Sequence, residues 1–270
     1  MPVPVEVELV TSVNRHIVPD RNVVAFIEGA DPTVKDEWVI VCAHYDHLAV
    51  DGERIFNGAD DDGSGIVALI DIAEAYALAA GNDQKPRRSV LFAAWNSEEV
   101  GLLGAWAYTE NPLAPLENTV AVLNMDMIGR NEEVPEGVPG WRFRGLEIQT
   151  AESNRNAMNL VGHTFSAELT SVVEEANQSF GLDLKKRYDN HISNTLRRSD
   201  HWPFLQKDVP ALWFFTGFHP DYHTENDVAA RINYEKLQKI VRLIHQASWN
   251  LAQMEGRPRM NADKVTAPTP

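Results

Sequence analysis

The amino-acid sequence predicts an α/β fold, a three-layer α/β/α sandwich around a mixed, largely parallel central sheet. Five short apolar runs recur along the chain without alternation between polar and apolar residues. Between them lie segments in which apolar residues recur at three- and four-residue spacing, which is typical of helices. The 270 residues, 44% of them hydrophobic, are enough for one domain with a sizeable core.

The apolar runs predict five strands that are buried on both faces. In chain order they read NVVAFIEG, EWVIVCAH, SVLFAAWN, TVAVLNMD and PALWFFTG. The periodic segments predict helices over 64–80, 99–108, 164–180 and 234–254. We expect a single domain over 1–259 and a disordered tail over 260–270, because the final MNADKVTAPTP is polar and contains proline.

Charge and composition exclude several classes of protein. The net charge of -15 disfavours a nucleic-acid partner. No apolar stretch reaches the ~18 residues of a membrane span, and the first residues lack the basic-then-apolar pattern of a signal peptide. Cys42 is the only cysteine, so the chain cannot form an internal disulfide, and we expect this thiol to be a small core residue.

Residue types that bind metals follow four of the five predicted strands. In open α/β sheets, side chains at the carboxyl ends of the strands converge on one crevice, even when they are distant in sequence. Imidazole and carboxylate donors without a thiolate suit zinc or a similar divalent metal in a catalytic site. The residues at these strand ends are His44, Asp46, His47, Glu98, Glu99, Asp126, His219, Asp221 and His223.

Three consecutive aspartates, Asp60, Asp61 and Asp62, precede a Gly-Ser-Gly turn and the first predicted helix. Adjacent carboxylates repel one another, so the cluster needs a physical reason. Taken alone, the cluster could be a solvated turn or a calcium loop, and the calcium loop is disfavoured because the spaced oxygen ligands and closing glutamate of an EF-hand do not follow. The isolated histidines are expected to be surface or hydrogen-bonded residues; they are His16, His163, His191 and His245.

The chain resembles the zinc-dependent M28 peptidases, a family that includes bacterial aminopeptidases. The resemblance covers about residues 22–240, and it rests on five motifs in order, with RSDHWPF between the last two: AHYDH, NGADDDGSG, SEEVGLLG, NMDMIGR and FFTGFHPDYHTEND. It implies two zinc ions per chain, although other divalent metals are possible. The implied metal ligands are His44, Asp61, Glu99, Asp126 and His223.

The resemblance also implies a role for each ligand. Asp61 bridges the two zinc ions, of which one takes His44 and Asp126 while the other takes Glu99 and His223. A bridging aspartate explains how the three adjacent carboxylates are tolerated, since two dications bring four positive charges.

Further implications concern the neighbours of these ligands. The peptide bond from Asp61 to Asp62 is expected to be cis. Glu98 is the implied general base, which takes a proton from the reacting water and later delivers one to the leaving amine. Asp46 is the implied carboxylate that orients the imidazole of His44.

The sequence departs from the family pattern at one position and leaves other roles open. Glu225 stands where the final motif often has proline, which puts the rigidity of that loop in doubt. His47 offers a second imidazole near His44, and we expect it not to be a ligand. Asp200 and His201 are expected either to contact substrate or to form a buried, hydrogen-bonded pair.

The most favoured activity is that of an aminopeptidase acting on peptides, because an acidic crevice suits a free α-amine. Arg197 and Arg198 weaken this preference, since cations suit a substrate carboxylate. A dipeptidase or carboxypeptidase, a glutaminyl cyclase with one zinc, and an inactive binding domain remain as alternatives. Aromatic residues that could line an apolar pocket, or equally belong to the core, are Trp141, Tyr188, Phe215 and Phe218.

The sequence is less informative on specificity and location. The segment 131–155 is expected to form a loop over the cleft. The family resemblance suggests an exported or extracellular protein, and the strand-like opening MPVPVEVELV is what a domain cut from a longer chain would show. Oligomeric state stays open.

Overall fold

A computed structural model describes residues 7–14, 17–137, 143 and 145–262. Its strands are β1 Val23–Ile27, β2 Trp38–His44, β3 Val50–Asp51, β4 Arg54–Ile55, β5 Ser89–Trp95, β6 Thr119–Met125, β7 Ala157–Val161, β8 Asp183–Lys185 and β9 Ala211–Phe215. Its helices are α1 Gly63–Gly81, α2 Leu103–Glu110, α3 Ala167–Asn177, α4 His201–Gln206 and α5 Tyr234–Gln253.

Seven of the strands form one mixed sheet in the order β1-β5-β2-β6-β9-β7-β8, and β3 pairs only with β4. The four central strands β5, β2, β6 and β9 are parallel to their neighbours in this group. The strands β1 and β7 run antiparallel to β5 and β9, respectively. The predicted mixed, largely parallel sheet is confirmed.

Helices cover both faces of the sheet, as the continuous apolar runs require. Successive residues of β2 point to opposite faces: Val39 and Val41 belong to the core beneath α1, α3 and α5, whereas Ile40 and Cys42 belong to the core beneath α2 and α4. Cys42 is fully buried, as expected. The predicted three-layer sandwich is confirmed.

The prediction that all five runs are buried is wrong for β1. Val23 and Phe26 in this strand are 60% and 59% exposed. The reason is its position, because among the described strands β1 lies at the edge of the sheet and pairs with β5 alone. Five elements were not predicted: β3, β4, β7, β8 and α4. Of these, β3, β4 and β8 have only two or three residues each and α4 has six. The predicted helix over 99–108 begins only at Leu103.

One helix in the described part of the chain, α1, is long and apolar enough to cross a membrane by length and composition. Its inner side packs on the sheet, and Leu69, Ile72 and Tyr76 belong to the core. It is therefore placed as a core helix.

The last described residues contact the core. Met260 packs against the cluster beneath α2 and α4. The side-chain amide of Asn261 donates to the carbonyl oxygen of Thr164 at 2.8 Å. The rest of the predicted tail, from residue 263 onwards, lies outside the described residues.

Candidate metal centre

The carboxyl ends of the central strands place the predicted ligands at one edge of the sheet. His44 is the last residue of β2 and is paired in register with Trp95, the last residue of β5. Asp126 directly follows β6, and Glu99 follows β5 after a short turn. Since these strands are parallel, their ends meet at the crevice that the sequence predicted.

Asp61 directs its two carboxylate oxygens at two different histidines. Its Oδ1 atom lies 3.2 Å from Nε2 of His44, and its Oδ2 atom lies 3.0 Å from Nε2 of His223. On the His44 side, Nε2 also lies 3.7 Å from Oδ1 of Asp126. On the other side, Nε2 of His223 lies 3.2 Å from Oε2 of Glu99. The five predicted ligands thus form two adjoining groups that share one carboxylate.

His47 also belongs to the second group. Its Nδ1 atom lies 2.8 Å from Oε1 of Glu99 and 4.0 Å from Oδ2 of Asp61. These three residues, like the trio of His44, Asp61 and Asp126, offer donor atoms close enough together to hold one metal ion. His47, which the sequence analysis expected not to be a ligand, is therefore a candidate donor beside His223.

The donor atoms fit a bound cation. Several of them are buried and have no hydrogen-bond partner among the described residues, which is costly unless something binds them. Imidazole and carboxylate groups are the donors that zinc takes in catalytic sites. The atoms concerned are Nε2 of His44, Oδ2 of Asp61, Oε1 of Glu99 and Nε2 of His223.

The electrostatics of Asp61 agree with a charged carboxylate. Burial opposes ionisation, but the imidazole groups of His223 and His44, which lie 3.0 and 3.2 Å from its oxygens, together hold the pKa of Asp61 below its usual range. A carboxylate that stays charged while buried is suited to binding a cation.

Asp62 has a structural role that differs from that of Asp61. It is the N-cap of α1, and its Oδ1 atom accepts from the backbone N–H of Gly65 at 3.0 Å. The same carboxylate accepts from the backbone N–H groups of His44 and Met127 at 3.1 and 3.2 Å. A Cβ atom at Gly65 would lie 2.5 Å from this carboxylate, which explains the glycine there. The predicted cis peptide bond between Asp61 and Asp62 is present.

Asp60 joins three further segments. Its Oδ1 atom accepts from the backbone N–H of Gly129 at 2.6 Å and from the Ser64 hydroxyl at 3.1 Å. Its Oδ2 atom lies 3.2 Å from Nε2 of His219. His219 was one of the candidate residues at the strand ends. In the structure it contacts Asp60 and belongs to neither of the two donor groups.

Asp227, which sequence reasoning missed, holds the backbone of the aspartate cluster. Its carboxylate accepts from the N–H groups of Asp60 and Asp61 at 3.0–3.1 Å. It is fully buried. Its place at the end of the YHTEND motif was the available signal.

Asp46 supports both the first histidine and the glutamate pair. Its carboxylate accepts from the backbone N–H groups of Glu98 and Glu99 at 3.0 and 3.2 Å. Its Oδ1 atom lies 3.6 Å from Nδ1 of His44, whereas its backbone oxygen lies closer, at 3.1 Å. The contacts of Asp46 therefore extend beyond the single one that the sequence implied.

Glu98 is buried in the wall of the same cavity as Asp61, Glu99 and Asp126. Burial raises the pKa of Glu98 well above its usual range. The positive charge of His44 opposes this shift, and the negative charge of Asp126 adds to it. A carboxyl group in such surroundings can take up a proton and release it again.

The RSDHWPF motif contributes Ser199 to the site, another residue that sequence reasoning missed. Its hydroxyl donates to Oδ2 of Asp126 at 2.5 Å and accepts from the Asn124 side-chain amide at 2.7 Å. Asp200 and His201 are fully buried and do not line the cavity. Burial raises the pKa of Asp200 to about 8 and lowers that of His201 to about 4, so both are neutral near pH 7.

The cavity beside the candidate ligands has a volume of about 400 Å³. Phe218, one of the aromatic residues singled out in the sequence, is in its wall, whereas Tyr188 and Phe215 are fully buried. Trp141 lies outside the described residues, as does part of the predicted loop over 131–155. The other residues of the wall are Gly101, Leu102, Met127, Arg197, Arg198, Trp213, Tyr222 and His223.

Hydrogen bonds hold the loop of His223 where the family often has proline. The Arg54 side chain donates to Oε2 of Glu225 at 3.2 Å, and the Asn57 amide donates to the backbone oxygen of Glu225 at 2.8 Å. His223 itself adopts the left-handed backbone conformation, with φ of 57°. Non-glycine residues in this region are uncommon and cluster at functional sites.

Most of the chain is similar to known proteins. The family described as Peptidase family M28 matches residues 22–248. A probable zinc metalloprotease of Leptosphaeria maculans is 26% identical over 269 residues, which cover 88% of this chain and 58% of that protein. Leucine aminopeptidase 2 of Trichophyton equinum is 27% identical over 233 residues, covering 78% of this chain and 41% of that protein.

The fold is also that of a solved structure. A zinc aminopeptidase from Bacillus subtilis superposes with a TM-score of 0.63 at 22% sequence identity, over 87% of this chain and 50% of that one. The chain thus spans about half the length of these three relatives. The family match covers most of the chain, and we conclude that the chain belongs to peptidase family M28.

Proposed function

We propose that this protein is a zinc-dependent aminopeptidase that binds two metal ions and hydrolyses the N-terminal residue from peptides. The observation that carries the proposal is the position of Asp61, whose two oxygens are directed at His44 and His223, respectively. One carboxylate shared by two groups of donors is the arrangement expected for a pair of metal ions. His44 and Asp126 would hold one ion, Glu99 and His223 the other.

The residues beside the ligands account for proton transfer. Divalent ions, when bound, polarise a carbonyl group and lower the pKa of water. Glu98 takes the proton of the attacking water and delivers it to the leaving amine. Asp46 holds the backbone from which this side chain extends, because its carboxylate accepts from the backbone N–H of Glu98 at 3.0 Å.

Tyr222 is suited to donating a hydrogen bond to the substrate. It lines the cavity, and its ring stacks on His223 with 3.8 Å between ring centroids. Burial raises the pKa of Tyr222 far above neutrality, so its hydroxyl keeps its proton. The net acidic character of the wall favours the α-ammonium group of a peptide with a free N-terminus.

Mass spectrometry of one peptide pool tests this proposal. The pool contains free, N-acetylated, C-amidated and N-terminal-glutamine peptides, and a chelated sample of the protein is the control. We expect stepwise loss of N-terminal residues from the free and the C-amidated peptides, no loss from the N-acetylated peptides, and no loss after chelation.

The same experiment separates the alternatives. Loss of residues from the other end would make the protein a carboxypeptidase, a possibility that Arg197 and Arg198 in the cavity wall favour. Loss of ammonia from the glutamine peptides would make it a cyclase. No change in any peptide would support a binding domain.

A further inference from the structure

Arg197 and Arg198 are the only lysine or arginine side chains in the described wall of the cavity. The remaining charged side chains there are the acidic residues and His223, to which the proposed chemistry already assigns roles. The proposed proton transfer uses neither arginine.

The backbone of Arg197 is held firmly beside the candidate ligands. Arg197 ends a short 3-10 turn, Thr195–Arg197, which follows Asn194 in the left-handed conformation with φ of 55°. Thr195 is fully buried, and Ser199, two residues beyond Arg197, donates to Asp126. The position of Arg197 is therefore coupled to that of a candidate metal ligand.

The side chain of Arg197 is supported on one face. Its Cζ atom lies 5.2 Å from the ring centroid of Trp202, in a cation–π contact. Such a contact fixes the plane of a guanidinium group while its N–H donors, which lie in that plane, stay available.

These donors lack an anionic partner. Nε of Arg197 is buried without a hydrogen-bond partner, and Arg197 forms no ion pair within the part of the chain that the structure describes. Buried or half-buried arginines elsewhere do pair with carboxylates: Arg88 with Glu37 at 2.6 Å and Arg130 with Asp221 at 2.8 Å. A shielded N–H donor without an acceptor is costly, so an acceptor from outside the chain is expected.

We infer that Arg197 is a specificity-determining residue that binds a carboxylate of the substrate on the leaving-group side of the bond that is cleaved. A guanidinium group matches a carboxylate through two parallel hydrogen bonds, which gives both affinity and orientation. The carboxylate is either the C-terminus of a dipeptide or an acidic side chain at the residue after the cleaved bond. This inference rests on the proposed function.

Two matched pairs of substrates test the inference. Leu-Ala and Leu-Ala amide differ in the C-terminal carboxylate, whereas Leu-Asp amide and Leu-Asn amide differ in the side chain. For each pair we compare kcat/KM in the zinc-loaded wild type, in Arg197→Gln and in Arg197→Lys. Arg242→Gln, at an exposed position of α5, is the matched control.

We expect the wild type to prefer the acidic member of at least one pair by about tenfold or more. The preferred pair identifies the source of the carboxylate. In Arg197→Gln the preference disappears, in Arg197→Lys part of it remains because the charge is kept, and in Arg242→Gln it is unchanged. Equal ratios in the wild type and in Arg197→Gln would overturn the inference and leave the peptidase activity standing.

A binding measurement keeps the inference separate from the proposed function. The dissociation constants of the same four compounds are measured by calorimetry on zinc-loaded Glu98→Gln protein, with and without Arg197→Gln. In each pair, the compound with the carboxylate is compared with its uncharged partner. Tighter binding of the carboxylate compound that is lost in Arg197→Gln would support the carboxylate site even if no compound is hydrolysed. Binding without such a difference would contradict it.

Discussion

At the scale of the residue, three adjacent aspartates have three different roles because each faces different partners. Asp61 faces His44 and His223, Asp62 caps α1, and Asp60 binds the backbone of Gly129. The sequence could indicate that the cluster needed a physical reason, and the family resemblance implied that Asp61 binds two metal ions. It could not indicate the roles of its neighbours, since those depend on backbone N–H groups from distant segments.

Glu98→Gln tests the proposed general base. The amide keeps the shape of the side chain but cannot take a proton, so we expect zinc content to be retained and kcat to fall by about 10²- to 10⁴-fold. Turnover is measured on the preferred peptide, and zinc by elemental analysis. Glu110→Gln, a 62% exposed side chain, is the control. Near-normal turnover in Glu98→Gln would show that another group is the base.

Ser199→Ala tests the support of a candidate ligand. The Ser199 hydroxyl lies 2.5 Å from Oδ2 of Asp126, so its removal frees that carboxylate to rotate. Zinc affinity, measured by competition with a chromophoric chelator, is expected to fall by about 10- to 100-fold. Ser248→Ala removes a buried hydroxyl that contacts Tyr76 instead, and should leave zinc affinity as in the wild type. Unchanged affinity in Ser199→Ala would argue against the role.

At the scale of the element, the site could be predicted because its residues lie at the ends of buried strands. The exposure of β1 and the short helix α4 could not be predicted in this way. The central strands are buried on both faces, so their sequences are continuous apolar runs that end abruptly at His44 and Asp126. In β1, by contrast, apolar content did not indicate burial. Within the part of the chain that the structure describes, this strand lies at the edge of the sheet, which depends on its pairing with β5 and not on its own residues. α4 carries Pro203 and has only six residues, too few for a periodic pattern.

The first turn of α5 contains a buried lysine whose titration affects stability. Lys236 is 2% exposed, and its Nζ atom donates to the backbone oxygens of Asn154 and Ala157 at 3.4 and 3.3 Å. Burial lowers its pKa to about 7, although Asp60 opposes the shift. Its pKa in the unfolded chain is about 10.4.

The sign of the pH dependence follows from this difference in pKa. Below pH 7 both states carry the proton, and the cost of burying the charge is fully present. Between pH 7 and pH 10 only the unfolded chain keeps the proton on Lys236. The free energy of unfolding of the wild type therefore rises with pH, relative to that of Lys236→Met, by up to about 1.4 kcal/mol per pH unit.

Urea unfolding at pH 6, 7, 8 and 9 measures the effect. Lys239→Met, on the same helix with a 41% exposed side chain, is the control and should show no such trend. A difference between the wild type and Lys236→Met that is constant over this range would contradict the lowered pKa.

At the scale of the whole molecule, the acidic centre should couple metal binding to stability. The chain carries a net charge of -15, and Asp61, Glu99 and Asp126 converge in one place. A metal that binds only the folded state adds about 2.7 kcal/mol to the free energy of unfolding at a free concentration 100-fold above its Kd. We therefore expect chelation to lower the Tm by several degrees. An unchanged Tm, measured by calorimetry with EDTA and after zinc is restored, would contradict this coupling.

The measurement that tests the central claim most directly is the number of zinc ions bound per chain. Metal-free protein is dialysed against increasing free zinc, and the bound metal is counted in the wild type and in Asp61→Asn. The account predicts saturation at two ions in the wild type and a marked weakening of both binding steps in Asp61→Asn, because this carboxylate is shared. Saturation of the wild type at a single ion, or two undisturbed ions in Asp61→Asn, would contradict it.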